Sequence, residues 1–204
     1  MMRKVTVLGV LVLLAAGCAS GPPTDIDNIC AIFDEKEDWR DEAFDSSRKW
    51  DIPVPIMMAI IYQESRFRAH ARPPRTRLLG FIPWTRPSTS YGYSQALEST
   101  WEIYTRSTGN RGADRDDFGD SIDFIGWYCD RSHRECYIPR SDAYRLYLAY
   151  HEGQRGYNRK TYRGKSWLLE AARRVSSMAG RYRTQLKNCG KIGEEKPKTR
   201  YYRF

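Results

Sequence analysis

Glu64 is the side chain with the clearest capacity for chemistry, because a carboxyl group there interrupts an otherwise apolar pattern. It lies in Pro53 to Phe67, Pro-Val-Pro-Ile-Met-Met-Ala-Ile-Ile-Tyr-Gln-Glu-Ser-Arg-Phe. At about 100° per residue from Ile56, the side chains of Phe67, Ile60, Glu64, Met57 and Ile61 fall in that order across one arc, with Glu64 near its middle. An ionised Glu on such a face is costly to bury without a partner. Desolvation should therefore raise its pKa and keep its proton towards neutral pH, the state that a general acid needs. The competing reading is that Glu64 bonds to a buried Arg or Tyr, or turns sideways to solvent at the helix end.

The element carrying Glu64 is expected to begin near Val54 and to end near Glu64 or Ser65. Pro53 or Pro55 suits a first turn that needs no amide donor, and Asp51 is placed to cap it. Further helices are predicted over Asp34 to Trp50, Leu97 to Arg106, Asp120 to Cys129 (capped by Asp120 or Ser121), Asp142 to Glu152, and Ser166 to Leu186, with Gly153 as a stop signal. Pro73, Pro74, Pro83 and Pro87 break Arg68 to Tyr91 into an irregular stretch. Its apolar residues Phe81 and Trp84, set among Arg72, Arg75, Arg77 and Arg86, are expected to form a wall of any groove beside Glu64, with the arginines meeting acidic groups of whatever binds there. No strand pattern of comparable length occurs, so the fold class is all-α, with long irregular loops.

At the N-terminus Arg3 and Lys4 precede the apolar run Val5 to Leu14, followed by Ala15-Ala16-Gly17-Cys18. The run is short for a bilayer span and suits a secretory signal over residues 1–17, with small residues before Cys18 resembling a bacterial lipobox. Cys18 would then be the lipidated first residue, residues 18–33 a tether, 34–190 the folded domain, and 191–204 a basic tail. Ala19 in place of Asp favours the outer membrane, facing the periplasm. The mature chain has 187 residues and a formal charge of +7, enough for one domain with a sizeable core. An exported basic chain suits anionic lipid or cell-wall polymer, and no motif supports nucleic-acid binding. Cys30, Cys129, Cys136 and Cys189 form an even set and allow three pairings. The preferred one closes a short loop with Cys129–Cys136 and ties the domain ends with Cys30–Cys189. A zinc half-site of Cys129, His133 and Cys136 is the rival, without a clear fourth ligand, and no metal is expected.

Three stretches carry a family likeness: Gln63-Glu64-Ser65-Arg66-Phe67, Gly92-Tyr93-Ser94-Gln95, and Ala149-Tyr150-His151-Glu152-Gly153. In this order and in an all-α context they resemble the SLT-type lytic transglycosylases. The resemblance implies a goose-lysozyme-like fold and cleavage of the β-1,4 bond between N-acetylmuramic acid and N-acetylglucosamine in peptidoglycan, with no cofactor and as a monomer. Glu64 would be the catalytic acid and base, Ser65 would support its orientation, and Tyr150 would stand beside the carboxylate. Gly92, Tyr93, Gln95, His151 and Glu152 complete the expected substrate contacts. His151 departs from the family's usual Asn, and the loop between Glu64 and Gln95 looks longer than the common form. Two other readings compete: a muramidase-type hydrolase in which Glu152 holds a water, and a noncatalytic peptidoglycan-binding lipoprotein.

The N-terminal reading has a direct test. Cys18→Ser is expected to move the protein from the outer-membrane fraction to the soluble periplasmic fraction with its domain folded. Retention in the membrane fraction would reveal a different anchor.

Overall fold

The computed structural model describes residues 21–74, 77–78, 82–83 and 88–193, with backbone alone at 77–78, 82–83 and 190–193. In chain order these form α1 (Ile29–Glu35), α2 (Glu37–Trp50), α3 (Val54–Ser65), α4 (Glu98–Thr108), α5 (Phe118–Cys136), α6 (Ala143–Asn158) and α7 (Ser166–Gly193). A short 3-10 turn, Thr161–Gly164, joins α6 to α7. Between α3 and α4, the two-residue strands β1 (Arg77–Leu78) and β2 (Ile82–Pro83) pair antiparallel. The chain thus adopts the expected all-α class, with a minimal hairpin inside the stretch read as irregular. The signal segment, Cys18, the side chains of Phe81 and Trp84, and most of the basic tail lie outside the described residues. No described helix is long and apolar enough to cross a membrane.

Helix α3 is the centre of the domain. Every residue from Val54 to Ile61 is buried, so the helix is apolar on all sides and not on one arc alone, as a helix enclosed by others must be. It packs against α7, α2 and α5. Pro53 occupies its N-cap and Pro55 its first turn, with no side chain capping it. Asp51 does not serve there. It ends α2 in a left-handed conformation, φ 57°, with its carboxylate 3.5 Å from Arg140 Nε. At the other end Arg66 and Phe67 are both left-handed, with φ 53° and 58°. This reversal carries Phe67 back into the core, where it stacks on Trp39 at 5.9 Å, so it is buried from a turn and not from the helical arc.

Other boundaries differ for local reasons. The helix predicted over Asp34 to Trp50 is two helices, parted at Lys36, because Asn28 starts α1 early by accepting from the amides of Cys30 and Ala31. Ile29, Ile32 and Phe33 enter the common core, and Thr24 is tied to Glu35 through both its amide and its hydroxyl at 2.8 Å. The segment up to residue 33 is therefore folded from α1 onward, and is not merely a tether.

The start of α5 is capped by Asp117, whose Oδ1 accepts from the Asp120 amide at 2.9 Å, and the helix runs on to Cys136. Asp120 and Ser121 are inside the helix. That continuation overturns the Cys129–Cys136 bridge: two turns apart on one helix, the residues are separated by about 10 Å along its axis. Both are free thiols, Cys129 buried and Cys136 half-buried. His133 Nδ1 lies 2.7 Å from the Ile138 carbonyl, and among the described residues no group of His, Cys, Asp and Glu could hold a metal.

The second expected bridge is present. Cys30 and Cys189 are bonded across a Cα separation of 6.1 Å and join α1 to α7. Under denaturing, nonreducing alkylation, Cys129 and Cys136 should both be modified, while Cys30 and Cys189 react only after reduction. Peptide mapping that recovered Cys129 linked to Cys136 would contradict this arrangement.

Candidate active site

The last turn of α3 brings Glu64 to a cavity of about 520 Å³. Gln95, Tyr150, His151, Glu152 and Gly153 line the same space, so the three separate motifs meet there. Glu64 keeps partial exposure on the cavity side, yet burial of its carboxyl raises the pKa to about 7, against a smaller lowering by a hydrogen bond. The donor is Tyr147, whose hydroxyl lies 2.8 Å from Glu64 Oε1. Tyr147 is itself buried, and desolvation together with Glu64 raises its own pKa, so it remains a donor. Both readings of Glu64 in the sequence therefore hold in part: it has a buried Tyr partner, and it is still shifted towards the protonated state.

Tyr147 is the residue that sequence reasoning missed. Tyr150 does stand near the carboxylate, lining the same cavity, but its hydroxyl donates to the Ser94 carbonyl at 2.7 Å and its ring packs against Tyr128 at 5.1 Å. The two tyrosines are three residues apart on α6 and their rings stack at 6.5 Å, so both face one side of the helix. That spacing was the available signal. It could not say which hydroxyl reaches Glu64, because this depends on how α6 approaches α3.

Gln95 is held rigidly. Its backbone is left-handed, φ 50°, and Nε2 donates at 2.9 Å to the carbonyls of both Ala71 and Gly92. Gly92 makes that turn possible: at φ 80°, a Cβ there would lie 1.8 Å from the Arg115 carbonyl oxygen. Its role is in the backbone, and it is not among the cavity-lining residues. Tyr93 points into the core, edge-on to Trp39 at 5.5 Å and to Phe118 at 5.7 Å, and is a packing residue, not a groove contact. Ser65 is also buried, its hydroxyl donating back to the Ile61 carbonyl at 3.3 Å instead of reaching Glu64.

Gly153 interrupts α6 at φ 71°, ψ 161°, a region open essentially to glycine, and the helix then resumes. The break lies where His151 and Glu152 meet the cavity. Glu152 is engaged by Lys165 Nζ at 2.7 Å, His151 Nδ1 at 3.2 Å and the Thr161 hydroxyl. Burial would raise its pKa, but these bonds outweigh it and leave the carboxyl below its ordinary value. An ion-paired carboxylate with both oxygens occupied is poorly suited to activate a water.

Glu42 is another carboxyl pushed up to about 7, by burial and by Asp117, Asp38 and Asp120. It does not line the cavity, so geometry separates it from Glu64.

An all-α domain whose cavity holds a carboxyl group with a pKa raised by burial has the acid that a glycan-cleaving protein requires. Comparison with protein families matches residues 6–189 to the transglycosylase SLT domain, and the chain belongs to that family. A comparison with curated proteins finds no match.

The Tyr147 bond favours the carboxylate, so Tyr147→Phe should raise the Glu64 pKa further above about 7. Where activity requires protonated Glu64, the alkaline limb of the pH–activity profile should move to higher pH. An unchanged profile with lower activity throughout would make Tyr147 a packing residue only.

Proposed function

We propose that this protein cleaves the β-1,4 bond between N-acetylmuramic acid and N-acetylglucosamine, with Glu64 acting first as acid and then as base. The family supports lytic transglycosylase activity on peptidoglycan. The observation that carries the finer reading is the Glu64 carboxyl, facing the cavity with a pKa of about 7, while the nearby Glu152 is tied up by Lys165 and Thr161.

Protonated Glu64 donates to the glycosidic oxygen as the bond from that oxygen to C1 of the muramic sugar breaks. The substrate's own N-acetyl group supports the oxocarbenium-like centre in place of a protein nucleophile. Glu64, now a carboxylate, accepts the proton of the C6 hydroxyl of the same sugar as O6 bonds to C1. The ring closes as a 1,6-anhydro sugar, the acid is regenerated, and no water is consumed. Tyr147 steadies the carboxylate in the second half of the cycle. Gln95 and His151 offer polar contacts along the cavity. Lipidation at Cys18 and retention at the outer membrane, as a monomer working on glycan strands, belong to the same proposal and rest on the sequence alone.

Glu64→Gln is nearly isosteric but has no acidic proton, and is expected to fold like the parent while losing cleavage by roughly three orders of magnitude or more. Mass spectrometry of the parent's products should give muropeptides lighter by one water than hydrolytic ones. Reducing-end products would assign a hydrolase, and binding without either product a noncatalytic role.

A further inference from the structure

A second cavity, of about 630 Å³, opens beside the first and shares Ser88, Ser90 and Leu97 with it. Its character is different, for two guanidinium groups converge there on one aromatic ring. Arg72 Cζ lies 4.3 Å from the Tyr91 ring centroid and Arg115 Cζ 5.4 Å from it. Stacking of this kind holds a guanidinium in place without neutralising it. Among the described residues, neither arginine is within ion-pair distance of a carboxylate.

The arrangement is anchored on both sides. The Tyr91 hydroxyl donates to Asp116 Oδ2 at 2.8 Å and also lies 2.9 Å from His70 Nδ1, so the ring cannot swing away freely. Arg115 Nη1 donates to the carbonyls of Thr89 and Ala96, at 2.8 and 3.1 Å. Its own carbonyl accepts from the Tyr93 amide at 3.1 Å and from the Ser121 hydroxyl at 2.9 Å. Arg115 is thus built into the segment that positions Gln95, and a ligand on its guanidinium would be held in fixed relation to the first cavity. Glu98, also lining the second cavity, can accept from an ammonium or amide group of the same ligand.

We infer that the Arg72–Tyr91–Arg115 cavity is a subsite for a carboxylate of the peptide stem carried by the muramic sugar. The inference rests on the glycan-cleaving function proposed above. A strand lying in the first cavity carries its stems sideways from the lactyl groups, and the shared wall gives one of them a route into the second. Carboxylate is the matching chemistry because a planar guanidinium edge donates two parallel N–H bonds to its two oxygens.

The test compares intact peptidoglycan strands with the same strands stripped of stems by an amidase, using the mature protein. Arg72, exposed and outside the anchoring bonds of Arg115, is the position to change. Arg72→Ala should lower the ratio of kcat/KM on intact over stripped strands by about tenfold, chiefly through KM, as expected for loss of a charge-assisted hydrogen bond. Arg72→Lys should restore part of it. By titration calorimetry, an isolated acidic stem peptide should bind the parent more tightly than its fully amidated form, and Arg72→Ala should remove the difference. An unchanged ratio, or an acidic peptide that binds no better than the amidated one, overturns the subsite. If the parent cleaves neither strand, the catalytic reading fails and the titration alone decides the subsite.

Discussion

Desolvation of the Glu64 carboxyl is balanced against a hydrogen bond from Tyr147, and the protonation of the site depends on that balance. A shift from the ordinary 4.5 to about 7 corresponds to roughly 3 kcal/mol favouring the neutral form. Too little burial would leave a permanently ionised acid, whereas a stronger set of donors would pull the pKa down and remove the proton that the proposed first step requires. The same shift acts on stability. A carboxyl whose pKa is raised by folding weighs least on the fold below the ordinary value, and the fold loses stability as pH rises from there through about 7. The Glu64 carboxyl is therefore placed at some expense to the folded state, and the surrounding helices must offset it.

They do so by close packing around α3. Gly126 lets α5 approach α2 so closely that a Cβ there would lie 2.5 Å from the Trp50 ring and 2.7 Å from Ser46 Oγ. Ser46 donates to the Ile122 carbonyl at 3.0 Å. Asp123 of α5 accepts from Trp50 of α2 and Tyr104 of α4, each at 2.7 Å. On the opposite side the Cys30–Cys189 bridge and the Tyr182 hydroxyl, bonded to the Ile26 carbonyl, fasten the start of the domain to α7. Helix α7 also packs against α3. These contacts surround the apolar helix so that its one carboxyl emerges only at its last turn.

The opposite wall obtains its shape from backbone conformations that ordinary helices and strands do not supply. Gly92 and Gln95 are left-handed on one side, and Gly153 breaks α6 on the other. Between them the cavity turns from Glu64 towards Gln95 and Ser90, where the Arg72 and Arg115 guanidiniums begin. A carboxyl whose pKa is raised to about 7 in one cavity, beside a second cavity where two guanidinium groups converge, suits a polymer whose backbone is sugar and whose side branches are acidic peptides. In the proposed reaction electrostatics contributes to orientation, while cleavage is assigned to the desolvated carboxyl.

The order of residues alone determined the all-α class, the helix over Val54 to Ser65, and the exceptional position of Glu64, because apolar periodicity and one interrupting carboxyl are local properties of the chain. It also indicated that Gln95 and His151 would share a site with Glu64, through family likeness more than through physics. What it left open required distance in three dimensions. Whether Tyr147 or Tyr150 reaches the acid depends on the approach of α6 to α3; whether Tyr93 and Ser65 meet substrate or core depends on which neighbours enclose them. Of the two expected bridges Cys30–Cys189 forms and Cys129–Cys136 does not, for the same reason: seven residues can close a loop, but along the continuous helix α5 they hold Cys129 and Cys136 apart. The second cavity was legible only in part: Arg72 stood among the arginines expected to meet acidic groups, but Arg115 is far from it in the chain and becomes its neighbour only where the tertiary fold brings both onto Tyr91.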